Sequence, residues 1–464
     1  MQVYNPLHDP LRDSIPGINQ HYSPTYWVAT AGTPPPNNGS IQGDIDVDVV
    51  IVGSGATGIA TSLYLAQEHG IQAIILEANQ SAWGCSSRNG GQGQNASGRL
   101  SRSQWIERWG LDTAKKLDKE IRMGFDNFAQ LTTEIECEAT PGGHLYIAHR
   151  PDKLAYLQHE ADVKHKIFGY NPKILTKAEI KERYCDDHDA HGAMLEEEGI
   201  GIHPLKFNFG MLKKAQALGV KIYTGSPVTE SKVINGIHHL YTPNGVVRAK
   251  RVAFCTGGYT GQNLNGALKN KLLPVLSNSI VTRPLTSSEI AATQFHSHVF
   301  ITDTRKLRFY YRLLKDNRLQ IGSRSAVIGS DASNPKHYQL LLDGLARKFP
   351  PLAGIKIDYS WWGWVDMSHD MMPRIIKPNQ ENNLWYALGY GGNGVSFSTW
   401  AGKRLAQRIA GKDHSEPAFS LPIYTSQLEF PNLFGKIKSE LFAPFRRLGQ
   451  ALLYKWYWLK DEII

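Results

Sequence analysis

Cysteine is scarce in this chain. Only Cys85, Cys137, Cys185 and Cys255 occur among 464 residues, and no two of them form a CxxC pair. That spacing excludes a disulfide-stapled module and a thiolate zinc site. No apolar run reaches the ~20 residues of an ordinary spanning helix. The first residues, Met1 to Gly17, lack the basic-then-apolar pattern of a secretory signal, so a soluble, cytoplasmic protein is expected. Charge of one sign is thin as well: 51 Lys plus Arg against 42 Asp plus Glu leave a formal +9. There is no long basic block, and no nucleic-acid partner is expected. Internal repeats are lacking, and the one low-complexity stretch is Pro34, Pro35, Pro36. What is present is a 41% hydrophobic, 10% aromatic composition, enough for a large core that needs no staple and unlike a collagen-like or disordered chain.

Residues 1–45 read as an irregular leader, pinned to the body by Tyr22, Tyr26 and Trp27. The segment Val47 to Val52 is then β-branched and mostly apolar, as a strand covered on both faces of a parallel sheet must be. It runs into Gly53-Ser54-Gly55-Ala56-Thr57-Gly58. Apolar residues at helical spacing follow, including Ile59, Leu63 and Ala66, and Gly70 is placed to stop that helix. A second apolar strand, Ala73 to Leu76, ends in Glu77-Ala78. Strand, glycine turn, helix, strand and acid in this order form a βαβ unit that binds a dinucleotide. Gly53 allows the tight turn, Gly55 lets the backbone approach a pyrophosphate, and Gly58 permits close helix packing. The helix N-terminus suits a phosphate, and Glu77 can accept from both ribose hydroxyls.

Further along, Ser101 to about Glu134 reads as helix, with Trp105 and Trp109 four apart and Leu117, Ile121, Phe125 and Phe128 along one core stripe. Ala139 to Ala148 reads as strand material around Pro141-Gly142-Gly143, and Asp152 to Phe168 as helix. After His203-Pro204 come a helix over Leu205 to Ala217 and a strand over Val220 to Tyr223. Arg251 to Cys255 is a strand entering a glycine turn. Residues 275–360, with Leu307 to Leu314 and Arg318 to Gly322 flanking Asp316-Asn317, indicate an antiparallel sheet. His296 and His298 fall in a strand-like stretch. Leu384 to Leu388 is a strand, and Phe397 to Ile409 a helix stopped near Gly411.

The glycine-rich stretch after the second strand, Gly84-Cys85-Ser86-Ser87-Arg88-Asn89-Gly90-Gly91-Gln92, can lie against a diphosphate and let a flat ring approach its backbone. Arg88 supplies a fixed cation. These segments resemble the FAD-dependent D-amino acid oxidase and sarcosine oxidase superfamily, and within it the gamma-glutamylputrescine oxidase branch. The matching stretches are Ser23 to Trp27, the GSGATG fingerprint with Glu77, and Ser87 to Gln92. They continue through His203-Pro204, Cys255 to Tyr259, Tyr310 to Leu313 with Asp316 to Leu319, Trp364 to Pro373, and Gly389 to Trp400. The resemblance covers nearly the whole chain.

It implies a Rossmann-like FAD-binding domain built from 46–100, 199–262 and 363–412. A mixed α+β substrate domain on a largely antiparallel sheet would comprise 101–198 and 263–362, and 413–464 would be an amphipathic tail. Val228 would touch adenine, Thr256 and Gly257 would close over the diphosphate, and Gly391-Gly392-Asn393-Gly394-Val395 would face the pyrimidine end of the flavin. A helix N-terminus there would stabilise the negative charge developing on the reduced ring. Related sarcosine oxidases attach the flavin to a cysteine shortly before the final glycine turn. Trp361 to Met367 contains none, so FAD is expected to be held noncovalently. Where the closer branch reads Thr-Glu-Pro-Leu, this chain has Thr282-Arg283-Pro284-Leu285, a cation that would alter substrate charge preference.

The activity so implied is oxidation of an amine or amino acid derivative, with hydride transfer to flavin, imine hydrolysis and release of hydrogen peroxide from dioxygen. Aromatic walls for an amine are expected from Tyr311, Trp364 and His369, and a carboxylate clamp from Arg312 and Arg324. The run Cys185 to His191 has ligand-like residues in a solvated turn, and no metal is assigned. The tail carries Lys436, Lys438, Arg446, Arg447 and Lys455 beside Phe434, Leu441, Phe442, Phe445, Leu448, Leu452, Leu453, Trp456, Tyr457 and Trp458. Docking on the enzyme's own body is the favoured reading; an anionic membrane or a partner is the alternative. Two rivals to the oxidase are a membrane-peripheral dehydrogenase passing electrons to quinone and a flavoprotein whose FAD is structural.

Overall fold

The apolar run before the first glycine turn forms the strand Ile45–Val52, whose last four residues are all buried, as a centrally placed parallel strand requires. The computed structural model describes residues 8–378, 383–428 and 445–463. Ala73–Leu76 and Gly245–Phe254 flank that strand in parallel. Lys221–Tyr223 and Leu384–Leu388 extend the sheet on either side, again in parallel. Antiparallel Ile237–Thr242, Glu230–Ile234 and Arg374–Ile376 complete eight strands. Because the parallel strands share a direction, their carboxyl ends bring Gly53, Glu77, Cys255 and Gly389 to one edge, where α/β sheets bind ligands.

The helix Ala56–His69 leaves that edge and ends at Gly70 in the left-handed region, φ 63°. Phe397–Ile409 and Pro204–Ala217 pack against it. Contact with the former is close because Gly402 has no side chain: a Cβ there would come within 2.6 Å of the Ala60 Cβ.

A second eight-stranded sheet runs in the order Ile357–Met367, Leu273–Thr282, Leu319–Ser323, Tyr310–Leu313, Phe300–Asp303, His144–Ile147, Ala193–Glu196, Lys173–Leu175. Only Phe300–Asp303 with His144–Ile147 is a parallel pair. Helix Pro335–Lys348 packs on this sheet, and Leu341, Leu345 and Phe349 share its core with Leu145, Ile280 and Ile321. The largely antiparallel character expected for residues 275–360 is therefore present. Ile357–Met367 stays in this sheet along its whole length. A three-stranded sheet of Gln92–Gln94, Gly199–Gly201 and Thr140–Pro141 completes the strands.

Two local expectations are corrected, for the stretch after Ser101 and for His296 and His298. The stretch after Ser101 is two helices, Arg102–Trp109 and Leu111–Glu134, because Gly110 at φ 79° turns the chain between them. Ala139 to Ala148 supplies strands as expected, in two different sheets: Thr140–Pro141 pairs with Gly199–Gly201, whereas His144–Ile147 joins the large sheet. His296 and His298 lie in irregular backbone before Phe300–Asp303.

The leader is pinned as its aromatics suggest. Trp27 Nε1 donates to Asn89 O at 2.8 Å, Tyr22 hydroxyl to Ser81 O at 2.7 Å and Tyr26 hydroxyl to Asp316 at 3.0 Å. Of the tail, Phe434, Lys436, Lys438, Leu441 and Phe442 lie outside the described residues. Helix Arg446–Glu462 docks on the body at both ends. Arg447 Nε meets Asp9 at 3.0 Å and its Nη1 meets Pro274 O at 2.6 Å. Asp461 accepts from the Lys306 and Leu307 amides at 2.8 and 3.0 Å, and Glu462 pairs with Arg305 at 2.7 Å. Among the described residues no helix is long and apolar enough to cross a membrane.

Candidate active site

A long cavity with about 1360 Å³ of empty space follows the carboxyl edge of the parallel sheet. Gly53, Gly55, Ala56 and Thr57 line it where the first helix begins, with Glu77, Ala78 and Val228 beyond them and Thr256 and Gly257 opposite. Ser14, Ile15 and Pro16 of the leader also line it. The remaining fingerprint residues support this wall from behind. Ser54 donates through its amide (2.9 Å) and hydroxyl (2.7 Å) to one Glu77 oxygen, and the Asn79 amide reaches the other at 3.0 Å. Burial raises the Glu77 carboxyl above its ordinary value, and these donors oppose that shift. Gly58 packs on the turn itself, since a Cβ there would lie 2.0 Å from Gly53 O.

A second cavity of about 800 Å³ adjoins the first. Cys85, Asn89, Val365, Gly392 and Val395 border both. Arg88, Gly90, Gln92 and Asn393 border the second only, whereas Gly394 borders the first. Ser87, Gly91 and Gly391 border neither: Ser87 donates to Trp83 O at 2.7 Å, Gly91 packs on Ile202 O and Arg312, and the Gly391 carbonyl accepts from Arg324 at 3.3 Å. Arg88 is buried, stacked 4.2 Å from the Trp83 ring and bonded to the Tyr259 hydroxyl at 2.5 Å. It thus borders the second cavity and not the first.

The substrate candidates divide sharply. Arg324 lines the second cavity. Tyr311, Trp364, His369 and Arg312 do not. Tyr311 is fully buried in the sheet core, its hydroxyl on Asp187. Trp364 is fully buried beneath the Arg447 guanidinium, 4.7 Å from the ring centre. His369 follows the strand, beside Asp370. Arg312 donates to Ile202 O at 2.6 Å, and burial holds its guanidinium down near 10. Successive strand residues face opposite ways. Hence Tyr310, not Tyr311, lines the cavity, and Gly363 and Val365 line it on either side of Trp364. Arg99 and Arg308 also line it, with Gln94, Ser277 and Thr302, and were missed. Arg308 shares the face of Tyr310 at i, i+2, a signal the sequence did carry; Arg99 sits in a loop, where no periodicity marks it. Arg283 pairs with Glu289 at 2.7 Å beside a helix start and does not border the cavity, so it gives the site no added cation.

At the junction Asp366 borders the long cavity and accepts from the Gly389 amide at 2.6 Å. Burial lifts its carboxyl to about 6. Burial also pushes the Cys85 thiol up to about 12, so it is a neutral thiol and a poor nucleophile. Among the described residues no cluster of three or more His, Cys, Asp or Glu could hold a metal.

The parallel sheet, glycine turn, buried acid and long cavity define a dinucleotide-binding protein, and residues 48–408 match the model of the FAD dependent oxidoreductase family, which makes it a flavoenzyme. The chain belongs to that family. It is 30% identical to the gamma-glutamylputrescine oxidoreductase of Escherichia coli over 456 residues, 96% of this chain and 100% of the relative. Among solved structures, glycine oxidase from Geobacillus kaustophilus superposes with a TM-score of 0.68 at 20% identity, covering 83% of this chain and 100% of that one. Iminodiacetate oxidase from Chelativorans superposes with 0.65 at 18% identity, covering 80% and 98%. The cavity fits FAD: the Glu77 oxygens, the glycine turn at a helix N-terminus and the open backbone of Gly257 offer a ribose acceptor and a diphosphate cradle.

Proposed function

We propose that this chain oxidises an amine or amino acid derivative at the carbon bearing nitrogen, with noncovalent FAD and with dioxygen as final acceptor. Amine, dioxygen and water would give a carbonyl compound, ammonia or a smaller amine, and hydrogen peroxide. FAD, when bound, supplies the two-electron acceptor for the hydride. The observation that carries the reading is the junction at Cys85, Val365, Gly392 and Val395, where the fingerprint-lined cavity opens onto a chamber rich in arginine. The N-terminus of helix Phe397–Ile409 stands beside that junction and favours negative charge there.

Among the described residues no Asp, Glu, His or Lys lines the chamber, and burial raises the Tyr310 hydroxyl. The chamber itself therefore offers no side-chain base among the described residues, Asp366 bordering the long cavity instead, and an amine held in the chamber arrives neutral. The chain's work is orientation and exclusion of water. Anaerobic addition of a substrate amine should bleach the flavin, with the bleaching rate rising with pH through the amine's own pKa. Peroxide should appear in air, and denaturation should release the flavin from the polypeptide. Bleaching without peroxide would favour the quinone-linked reading; no bleaching by any amine would remove the enzyme assignment.

One observation favours a membrane-peripheral version of that reading. The outer face of the C-terminal helix leaves Phe445, Leu448, Leu452 and Trp456 between 49% and 61% exposed, at the i, i+3, i+4 spacing of one stripe and beside exposed Lys455 and Lys460. Vesicles containing anionic lipid should co-sediment the protein, and Leu448→Glu with Leu452→Glu should abolish this. Absence of binding to such vesicles would retire the version.

A further inference from the structure

Several buried arginines of this fold meet carboxylates. Arg102 meets Asp118 at 2.6 Å, Arg305 meets Asp303 and Asp189 at 2.7 Å each, and Arg404 meets Glu120 at 2.7 Å. Desolvated guanidinium is costly without such a partner. The second cavity departs from this pattern. Arg99, Arg308 and Arg324, each half-buried and from a separate stretch of chain, line it together with Arg88, and among the described residues no acidic residue lines it with them.

What these three do touch is weak or neutral. Arg308 Nη2 reaches the Tyr146 hydroxyl at 3.3 Å and Arg324 Nη2 reaches Gly391 O at 3.3 Å. The Arg308 Nε is buried with no hydrogen-bond partner, and so is the Tyr454 hydroxyl of the C-terminal helix. Tyr454 lies within electrostatic reach of Arg99 and Arg324, so that helix borders the arginine end. Burial, with the mutual repulsion of the cluster, holds the Arg99 guanidinium well below its ordinary value and lowers Arg324 likewise. Three cations on one cavity, with no carboxylate lining it among the described residues, store repulsion that a ligand can relieve. A single carboxylate would satisfy one of them by a bidentate contact and leave the others facing each other.

We infer that the amine taken by this site carries a multivalent anionic end, either two carboxylates or one doubly charged group such as a phosphonate, held by Arg99, Arg308 and Arg324 while its C–N carbon lies toward Val365 and Gly392. This rests on the amine-oxidase reading for the oxidised carbon, but the charge class stands on the arginines alone. It also separates this chain from a substrate whose far end is zwitterionic or cationic.

The test uses the FAD-loaded enzyme and anions that cannot be oxidised. Glutarate and methylphosphonate are compared with butyrate, by flavin spectral titration and by thermal shift of the protein. Both multivalent anions, or one of the two, should bind at least about tenfold more tightly than butyrate, the gain expected from one added charge-assisted contact. The two arms tell a dicarboxylate from a phosphonate. Arg308→Gln should erase the preference while flavin content stays unchanged and the melting temperature in buffer does not fall, since one of the repelling cations is gone. Equal binding of butyrate overturns the proposal, as does a preference that survives in Arg308→Gln. If the multivalent anions bind but no acidic amine bleaches the flavin, the charge class holds and the oxidation reading fails.

Discussion

Gly58→Ala should yield a protein that purifies without flavin and melts well below the parent. The added Cβ would stand 2.0 Å from Gly53 O, 3.1 Å from Gly53 C and 3.3 Å from the Ile51 side chain. None of these can yield cheaply. Gly53 sits at φ 99°, a conformation reserved for glycine, and its amide is tied to Leu76 O at 2.8 Å. The helix must therefore move away from the turn, taking with it the N–H groups that would meet a diphosphate. Overpacking of this kind costs about 2–4 kcal/mol, and the lost alignment removes the cofactor as well. Gly70→Ala on the same helix is the control. Its Cβ would meet nothing within 4 Å, so only the left-handed backbone, about 1–2 kcal/mol, is charged against it, and flavin should stay. Flavin absorbance per mole of protein and a thermal melt read both variants.

The contrast between these glycines shows why the cofactor half of the site was legible in the sequence. A turn between a parallel strand and a helix forces glycine at fixed spacing, and the chemistry of ribose forces an acid after the next strand. Gly53, Gly55, Gly58 and Glu77 are therefore local consequences of one motif. The substrate half has no such grammar. Tyr310 and Tyr311 are neighbours of the same type, and only the side on which helix Pro335–Lys348 covers the sheet decides which of them is core. The same holds for Trp364 between Gly363 and Val365. Pairing Tyr311 with Arg312 as site residues placed two adjacent strand residues on one face, which the pleat forbids. Arg99 could be found only from tertiary structure, because its loop reaches the chamber through the three-stranded sheet beside it. The tail divides in the same way: its amphipathicity was plain, but which residues dock followed from Asp9, Arg305 and the Lys306 amide, far away in sequence.

The largest loss of stability is expected from Lys348→Met. Lys348 is fully buried, with its Nζ 3.5 Å from Asp187, 3.2 Å from Asp189 and 3.4 Å from Asp303. Two of those carboxylates come from the run Cys185 to His191, whose ligand-like residues thus hold cations of the chain itself. Arg305 shares Asp189 and Asp303 and passes the network on to Glu462 of the C-terminal helix. Removing Lys348 strands buried negative charge, a change worth about 3–5 kcal/mol. The pH dependence fixes the cause. In the parent, Lys348 and Arg305 hold the Asp303 carboxyl below its ordinary value against the opposing effect of burial, so its contribution is present at neutral pH and fades in acid. In the variant burial is less opposed, the carboxyl rises, and stability is instead lost as pH increases. The gap in melting temperature should therefore be widest above pH 7 and narrow toward pH 5. Asp187→Asn added to Lys348→Met should recover part of the loss, since it removes one stranded charge while keeping an acceptor for the Tyr311 hydroxyl. Arg347→Met, whose side chain is 41% exposed, should cost under about 1 kcal/mol. A gap independent of pH would mean that lost packing around the Lys348 stem, rather than unpaired charge, accounts for the effect.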